Sequence, residues 1–262
     1  MHIGIVSDEV NNDFERAVSL CTQWGVHRFE LRRSWGKRFP DFDREELERI
    51  KSIRAHYGIK ITAVSPGIFK TTLSSEDLDY HRTTLLQKTM DMAEELEVDR
   101  IIIFGIERAQ SDEPADVTKV IDIIGETALK AGARGFQVLM ENEPGWWADT
   151  SQNTYNILSQ LEDTGLMLNW DPGNLFNAGE EDYREGYELL KGYIRNVHVK
   201  DPKRKNGKNV YVPVGEGDID WRGQLLALKE DGYSGNIVIE THCRPREESS
   251  KSSIEYVRGI IE

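Results

Sequence analysis

The sequence predicts a (β/α)₈ barrel of the TIM type, and three observations carry that reading. Short apolar or β-branched runs alternate eight times with longer amphipathic segments along 262 residues, close to the ~250 typical of such barrels. No composition break or linker-like stretch interrupts the alternation, so residues 1–262 are expected to form one domain. The first strand is followed by SDEVNND, which lacks the glycine loop a doubly wound dinucleotide-binding sheet would carry there.

Residues 2–7 (HIGIVS) read as the first strand, and 13–25 as its helix, with Phe14, Ala17, Val18 and Cys21 at helical spacing and Gly25 as the stop. Strand two is 28–31. Its helix, 43–58, opens on DREE, an aspartate cap followed by acids that suit the positive end of the helix dipole. Strand three is 60–65 (KITAVS), and SSED signals the start of the helix over 75–98. Strand four (100–105) pairs with a helix over 114–132, strand five (136–142) with 151–163, and strand six (166–171) with 183–193. Strand seven is 196–200 (NVHVK), then an insertion, 202–218, precedes the helix 221–232. Strand eight is 236–242 (NIVIETH), and the helix 247–261 closes the chain. Strands joined through helices must run parallel, and right-handed crossovers put the helices outside.

Hydrophobic residues make up 38% and charged residues 30%, no apolar run reaches the ~20 residues of a membrane span, and the N-terminus lacks a secretory pattern. Two distant cysteines, Cys21 and Cys243, give no disulfide framework, so a cytoplasmic protein with free thiols is expected. A net charge of −13 argues against nucleic acid. The one basic cluster, KDPKRKNGK at 200–208, reads as a solvated loop.

Active sites of parallel barrels lie at the C-terminal strand ends. Here the last four strands end in Glu141, Asp171, His198 and Glu240. A lone strand-end glutamate is usually a loop anchor, and a lone histidine is often a satisfied core residue. Four such groups on consecutive strands point instead to one bound divalent cation, which would offset their mutual repulsion. Oxygen-rich ligation with one histidine favours Mn²⁺, Mg²⁺ or Co²⁺, with Zn²⁺ a substitute that crystals accept.

From SDEV through FELR, ENEPG, WDPGN, HVKD and GEGDIDW to IETH, the chain resembles the xylose isomerase-like barrels, in the branch of sugar phosphate isomerases and epimerases that includes tagatose and psicose 3-epimerases. The resemblance implies metal ligation by Glu141, Asp171, His198 and Glu240. It also implies isomerase or epimerase chemistry on a small sugar or sugar phosphate, by proton transfer next to a carbonyl through a metal-bound enediolate, with Glu141 and Glu240 as the two catalytic carboxylates. A lyase that dehydrates a keto-sugar or keto-polyol on the same barrel is the alternative outcome. Many of these epimerases carry a histidine three residues after the strand-six aspartate; this chain has Asn174, which can hold a hydroxyl but cannot shuttle a proton near neutral pH.

Lys200 and His242 lie two residues beyond proposed ligands, so strand alternation points them the same way, toward a substrate oxygen or a charge-balancing role. Lys70 is a candidate for an acidic group, Trp146 with Trp147 for a sugar ring or a subunit interface, and Glu216 for the pocket lining. Glu30 and Arg32 suggest an ion pair or a substrate contact, and Asp201 an anchor for His198 or a loop. An endonuclease IV-type phosphodiesterase would need extra histidines at early strand ends. His56 and His81 fall in helices, and His27 precedes strand two. A catalytically silent sugar-binding barrel is a further reading, and a homo-oligomer is allowed.

Overall fold

The structure is a computed structural model that describes residues 1–262. Eight parallel strands close into a barrel: β1 (His2–Val6), β2 (Arg28–Leu31), β3 (Lys60–Val64), β4 (Arg100–Phe104), β5 (Gln137–Glu141), β6 (Met167–Trp170), β7 (Ile194–Val199) and β8 (Asn236–Ile239). Each pairs with its neighbours in sequence, and β1 closes the ring against β8 through the register His2 to Asn236. The outer helices are α1 (Phe14–Gln23), α2 (Arg44–Tyr57), α3 (Leu86–Glu95), α4 (Val117–Gly132), α5 (Ser151–Leu158), α6 (Tyr183–Leu190), α7 (Trp221–Glu230) and α8 (Arg246–Ile261).

Strand period two divides the side chains. Ile237 and Ile239 of β8, Val197 and Val199 of β7, and Val138 and Met140 of β5 point outward into the large core beneath the helices. The inward set is different. Ala63, Ile102 and Leu139, with Met167 packed against them, make a small apolar layer inside the barrel. Above it Glu30, Asn169, Asn196 and His198 are all buried, where barrels of this kind usually stack branched apolar residues. That polar layer is the floor of the site.

Local chemistry explains the helix starts. Asp43 and Glu46 form a reciprocal capping box on α2, and Asp13, Thr150, Asp182 and Asp220 accept from backbone amides at the starts of α1, α5, α6 and α7. Three details depart from the sequence reading. The long third helix is not uniform, since Leu78–Tyr80 and a π-helical segment His81–Leu85 lead into α3. DPGN begins a short helix, Pro172–Asn177, capped by Asp171, because proline is pre-set for a first helical turn. The insertion after β7 is an antiparallel hairpin, Asp201–Lys205 with Lys208–Val212. Its tip is Asn206–Gly207 with φ of 52° and 75°, the left-handed pair that a tight hairpin turn requires.

Candidate metal centre and active site

Glu141, Asp171, His198 and Glu240 converge at the C-terminal strand ends, all buried, with one potential ligand atom from each lying within 4.8 Å of the others. Polar contacts hold each one. Asn142 clasps the end of β6 twice: its Nδ2 donates to the Asp171 carbonyl at 2.8 Å and its Oδ1 accepts from the Asp171 amide at 2.9 Å. Asn169 Nδ2 donates to Glu141 Oε2 at 3.0 Å and Asn174 Nδ2 to Glu141 Oε1 at 3.3 Å. Asn174 therefore positions a carboxylate; it stands buried behind Glu141 and does not line the cleft.

His198 Nε2 lies 2.7 Å from Glu30 Oε2, so the N–H on that nitrogen donates to the carboxylate. Glu30 is fixed in turn by Asn196 Nδ2 at 2.6 Å. The other ring nitrogen, Nδ1, is buried without a hydrogen-bond partner, 3.5 Å from Glu141 and 3.4 Å from Glu240. Arg32 does not pair with Glu30. It reaches Glu240 Oε1 at 2.5 Å, Glu9 at 2.6 Å and Asp8 at 2.8 Å, because barrel closure sets β1 between β2 and β8. The resulting ladder continues to His242, whose Nδ1 sits 3.1 Å from Glu9. Glu9, Glu240 and His242 also cluster, but the Arg32 guanidinium already supplies the cation there.

Charge crowding sets the ionisation. Burial opposes a charged His198, yet the carboxylates of Glu30, Glu141 and Glu240 outweigh it and hold the imidazole well above its usual range. Burial and the neighbouring Glu141 and Glu240 push Asp171 up to about 6, although Lys200 pulls the other way. Glu240 is also buried, but Lys200, His242 and His198 keep it well below the ordinary carboxylate range. Lys200 Nζ lies 2.7 Å from Asp171 Oδ2 and 3.1 Å from Glu240 Oε2. That ammonium misses hydrogen-bond geometry to Asp171 Oδ2, which is left buried without a hydrogen bond.

The donor set fits a divalent ion. His198 Nδ1 is buried with no hydrogen bond, and such an atom costs free energy until a partner meets it; Asp171 Oδ2 has the Lys200 ammonium beside it but no hydrogen bond. The bond from His198 Nε2 to a carboxylate is the arrangement that leaves the opposite nitrogen free to ligate.

The cleft above has a volume of about 250 Å³. Lys70 and His242 line it, as does Glu143, which the sequence reading did not single out. Glu143 lies two residues beyond Glu141, so the alternation used for Lys200 and His242 was the signal that could have found it. Lys70 Nζ pairs with Glu143 Oε2 at 2.9 Å and rests 3.9 Å from the centre of the Phe104 ring. Other expected residues stand apart. Trp146 donates to the Phe69 carbonyl at 3.3 Å beside Lys70, and Trp147 is buried beneath Arg108, so neither lines the cleft. Glu216 is exposed on the loop after the hairpin, away from the cleft. Asp201 anchors that loop and not His198. It accepts from the amides of Gly215, Gly217 and Ile219, and a Cβ at Gly217 would come within 2.1 Å of it. Trp221 donates to the Lys200 carbonyl at 3.1 Å, so GEGDIDW buttresses the strand that carries His198 and Lys200.

The profile of the family described as xylose isomerase-like TIM barrel matches residues 18–260. The chain belongs to that family. Among the relatives of this xylose isomerase-like barrel is the L-ribulose-5-phosphate 3-epimerase UlaE of Salmonella heidelberg, 27% identical over 207 residues, 76% of this chain and 71% of that protein. Another is the inosose dehydratase of Clostridium perfringens, 23% identical over 144 residues; that match spans 47% of each chain, about half the length of the relative. A xylose isomerase-like TIM barrel protein from Mycobacterium smegmatis, solved in complex with magnesium, superposes with a TM-score of 0.80 at 15% identity, covering 99% of this chain and 96% of that one. The family thus includes both epimerases and dehydratases. No helix is long and apolar enough to cross a membrane.

Proposed function

We propose that this barrel is a divalent-metal-dependent isomerase or epimerase that moves a proton next to the carbonyl of a small sugar or sugar phosphate. The observation that carries the reading is the buried, unpartnered Nδ1 of His198 facing Glu141 and Glu240. Glu141, Asp171, His198 and Glu240 would hold the ion, Mg²⁺, Mn²⁺ or Co²⁺ by donor type. When bound, such an ion supplies Lewis acidity that lowers the cost of a carbanion next to a carbonyl. The epimerase relative and the magnesium-bound neighbour support this assignment.

The protein groups divide the remaining work. Glu141 and Glu240 are the two carboxylates that take and return the proton. Each is fixed at both oxygens, Glu141 by Asn169 and Asn174, Glu240 by Arg32 and Lys200, which keeps them within the narrow geometry that proton transfer demands. Lys200, held charged by Asp171 and Glu240 despite burial, is placed to steady negative charge on a substrate oxygen. His242 faces the same cleft and offers a second donor.

One observation favours dehydration as a second reading. Glu143 lines the cleft, and burial together with the charge of Glu141 raises the pKa of its carboxyl against the pull of Lys70. Glu143 rests in an ion pair with Lys70; a proton taken up there would pass to a departing β-hydroxyl after the α-proton is removed, releasing water. NMR in D₂O with a panel of ketoses, ketose phosphates and keto-polyols separates the outcomes. Metal-loaded protein is expected to place deuterium next to the carbonyl of at least one compound, and to lose that exchange with chelator. No exchange across the panel with metal-loaded protein contradicts the proposal.

A further inference from the structure

We propose that Arg38 anchors an anion subsite on the β1–β3 side of the cleft, where the protein holds a phosphate or carboxylate carried by its substrate. This deepens the function proposed above and rests on it for the position of the reacting carbons. Five long cationic side chains line the cleft: Arg32, Arg33, Arg38, Lys70 and Lys200. Arg32 is spent on Asp8, Glu9 and Glu240, Lys70 on Glu143, and Lys200 on Asp171 and Glu240. Arg33 and Arg38 form no ion pair, and of these two Arg33 is exposed. Arg38 is half-buried, its Nε is sequestered without a hydrogen-bond partner, and Nη2 makes only a long 3.5 Å contact to Ser65 Oγ. Burial and the adjacent charges of Arg32 and Arg33 bring its pKa down to about 10, against the opposing charges of Asp8 and Glu141, and the guanidinium stays charged near neutral pH with no carboxylate paired to it.

The chain is built to put it there. Arg38 ends a two-stranded hairpin, paired with Arg33, and the next residue, Phe39, is fully buried and donates its amide to the Arg32 carbonyl at 3.0 Å. Across from it, Gly67 has φ of 84°, and a Cβ at that position would lie 2.8 Å from Arg38 Nε and 2.9 Å from Cζ. The glycine leaves the guanidinium room to lie along the cleft wall. A partly desolvated guanidinium with free donors matches a planar or tetrahedral oxyanion through two parallel bonds, and an anion arriving there offsets the cost of burying the charge. The substrate class that follows is a keto-sugar or keto-polyol with an anionic group.

Titration calorimetry with inorganic phosphate and with acetate tests this on the full chain, metal-loaded and chelator-treated, for the unaltered protein, Arg38→Met, Arg38→Lys and Arg33→Met. One phosphate or acetate per chain is expected in both metal states, weakened about tenfold or more by Arg38→Met, partly restored by lysine, and changed less than about twofold by Arg33→Met, where the side chain is exposed. Whichever of the two anions binds more tightly identifies the natural group as a phosphate ester or a carboxylate. Equal affinity in Arg38→Met and the unaltered protein, or binding seen only with metal and indifferent to Arg38, overturns the subsite. Arg38-dependent binding in a protein that takes up no metal would sink the proposed reaction and leave the subsite standing.

Discussion

The two sides of the barrel mouth are built differently. At the ends of β5 to β8 the four proposed ligands are buried and restrained: Glu141, Asp171, His198 and Glu240 are each at most 5% exposed and tied to at least one further polar group. At the ends of β2 and β3 the polar groups are looser, with Arg38 half-buried and Arg33 exposed on a short hairpin. The difference separates two tasks. Proton transfer and metal ligation tolerate little positional error, and the groups proposed for them sit on strands braced by amides and a tryptophan. Holding the rest of a substrate tolerates more, and the group proposed for it, Arg38, sits on a loop hairpin.

Breaking the rigid side should cost most. Glu240→Gln keeps the shape and removes the charge, and is expected to lower deuterium exchange next to the substrate carbonyl by about 10²–10⁴-fold; exchange at the unaltered rate would remove Glu240 as a base. Glu30→Gln leaves all four proposed ligands in place but weakens the contact that orients His198. Metal affinity, read by competition with a chromophoric chelator, should fall about 10–100-fold, and an unchanged affinity would show that Glu30 does not orient the ligand.

The charge ladder between the two sides gives a pH signature. Burial alone would raise Glu9, but the bond from His242 and the charge of Arg32 bring it down to about 2 from 4.5. A depressed carboxylate stabilises the fold above its unfolded value and loses that contribution as pH falls through the folded one. Glu9→Gln should therefore cost about 1–3 kcal/mol near pH 7 in urea unfolding, with the gap to the unaltered protein closing between about pH 4.5 and 2. A gap independent of pH would assign the cost to packing instead. The smallest effect belongs to Glu216, exposed and outside the cleft. Glu216→Ala should stay within about 0.5 kcal/mol in stability and leave exchange rates unaltered.

The rigid side was also the more legible in sequence. Alternation places Asn196, His198 and Lys200 on one face of β7 and Asn169 with Asp171 on one face of β6, so the strand pattern alone assembles much of the site. The order of strands around the barrel followed from the same pattern. What stayed hidden depends on closure. Arg32 meets Asp8, Glu9 and Glu240 only because β1 lies between β2 and β8, and no local spacing announces that. Trp146, Trp147 and Glu216 were read from motifs in loops, where side-chain direction follows tertiary packing and not a period. The hairpin after β7 had a usable signal in Asn206–Gly207, and Arg38 had none beyond its charge.

Metal stoichiometry tests the central claim most directly. Elemental analysis of protein purified without chelator should give about one divalent ion per chain, and His198→Ala and Asp171→Asn should each lose it while remaining folded by circular dichroism. A protein that takes up no ion when supplied with Mg²⁺, Mn²⁺ or Co²⁺, or variants that bind as well as the unaltered chain, would contradict it.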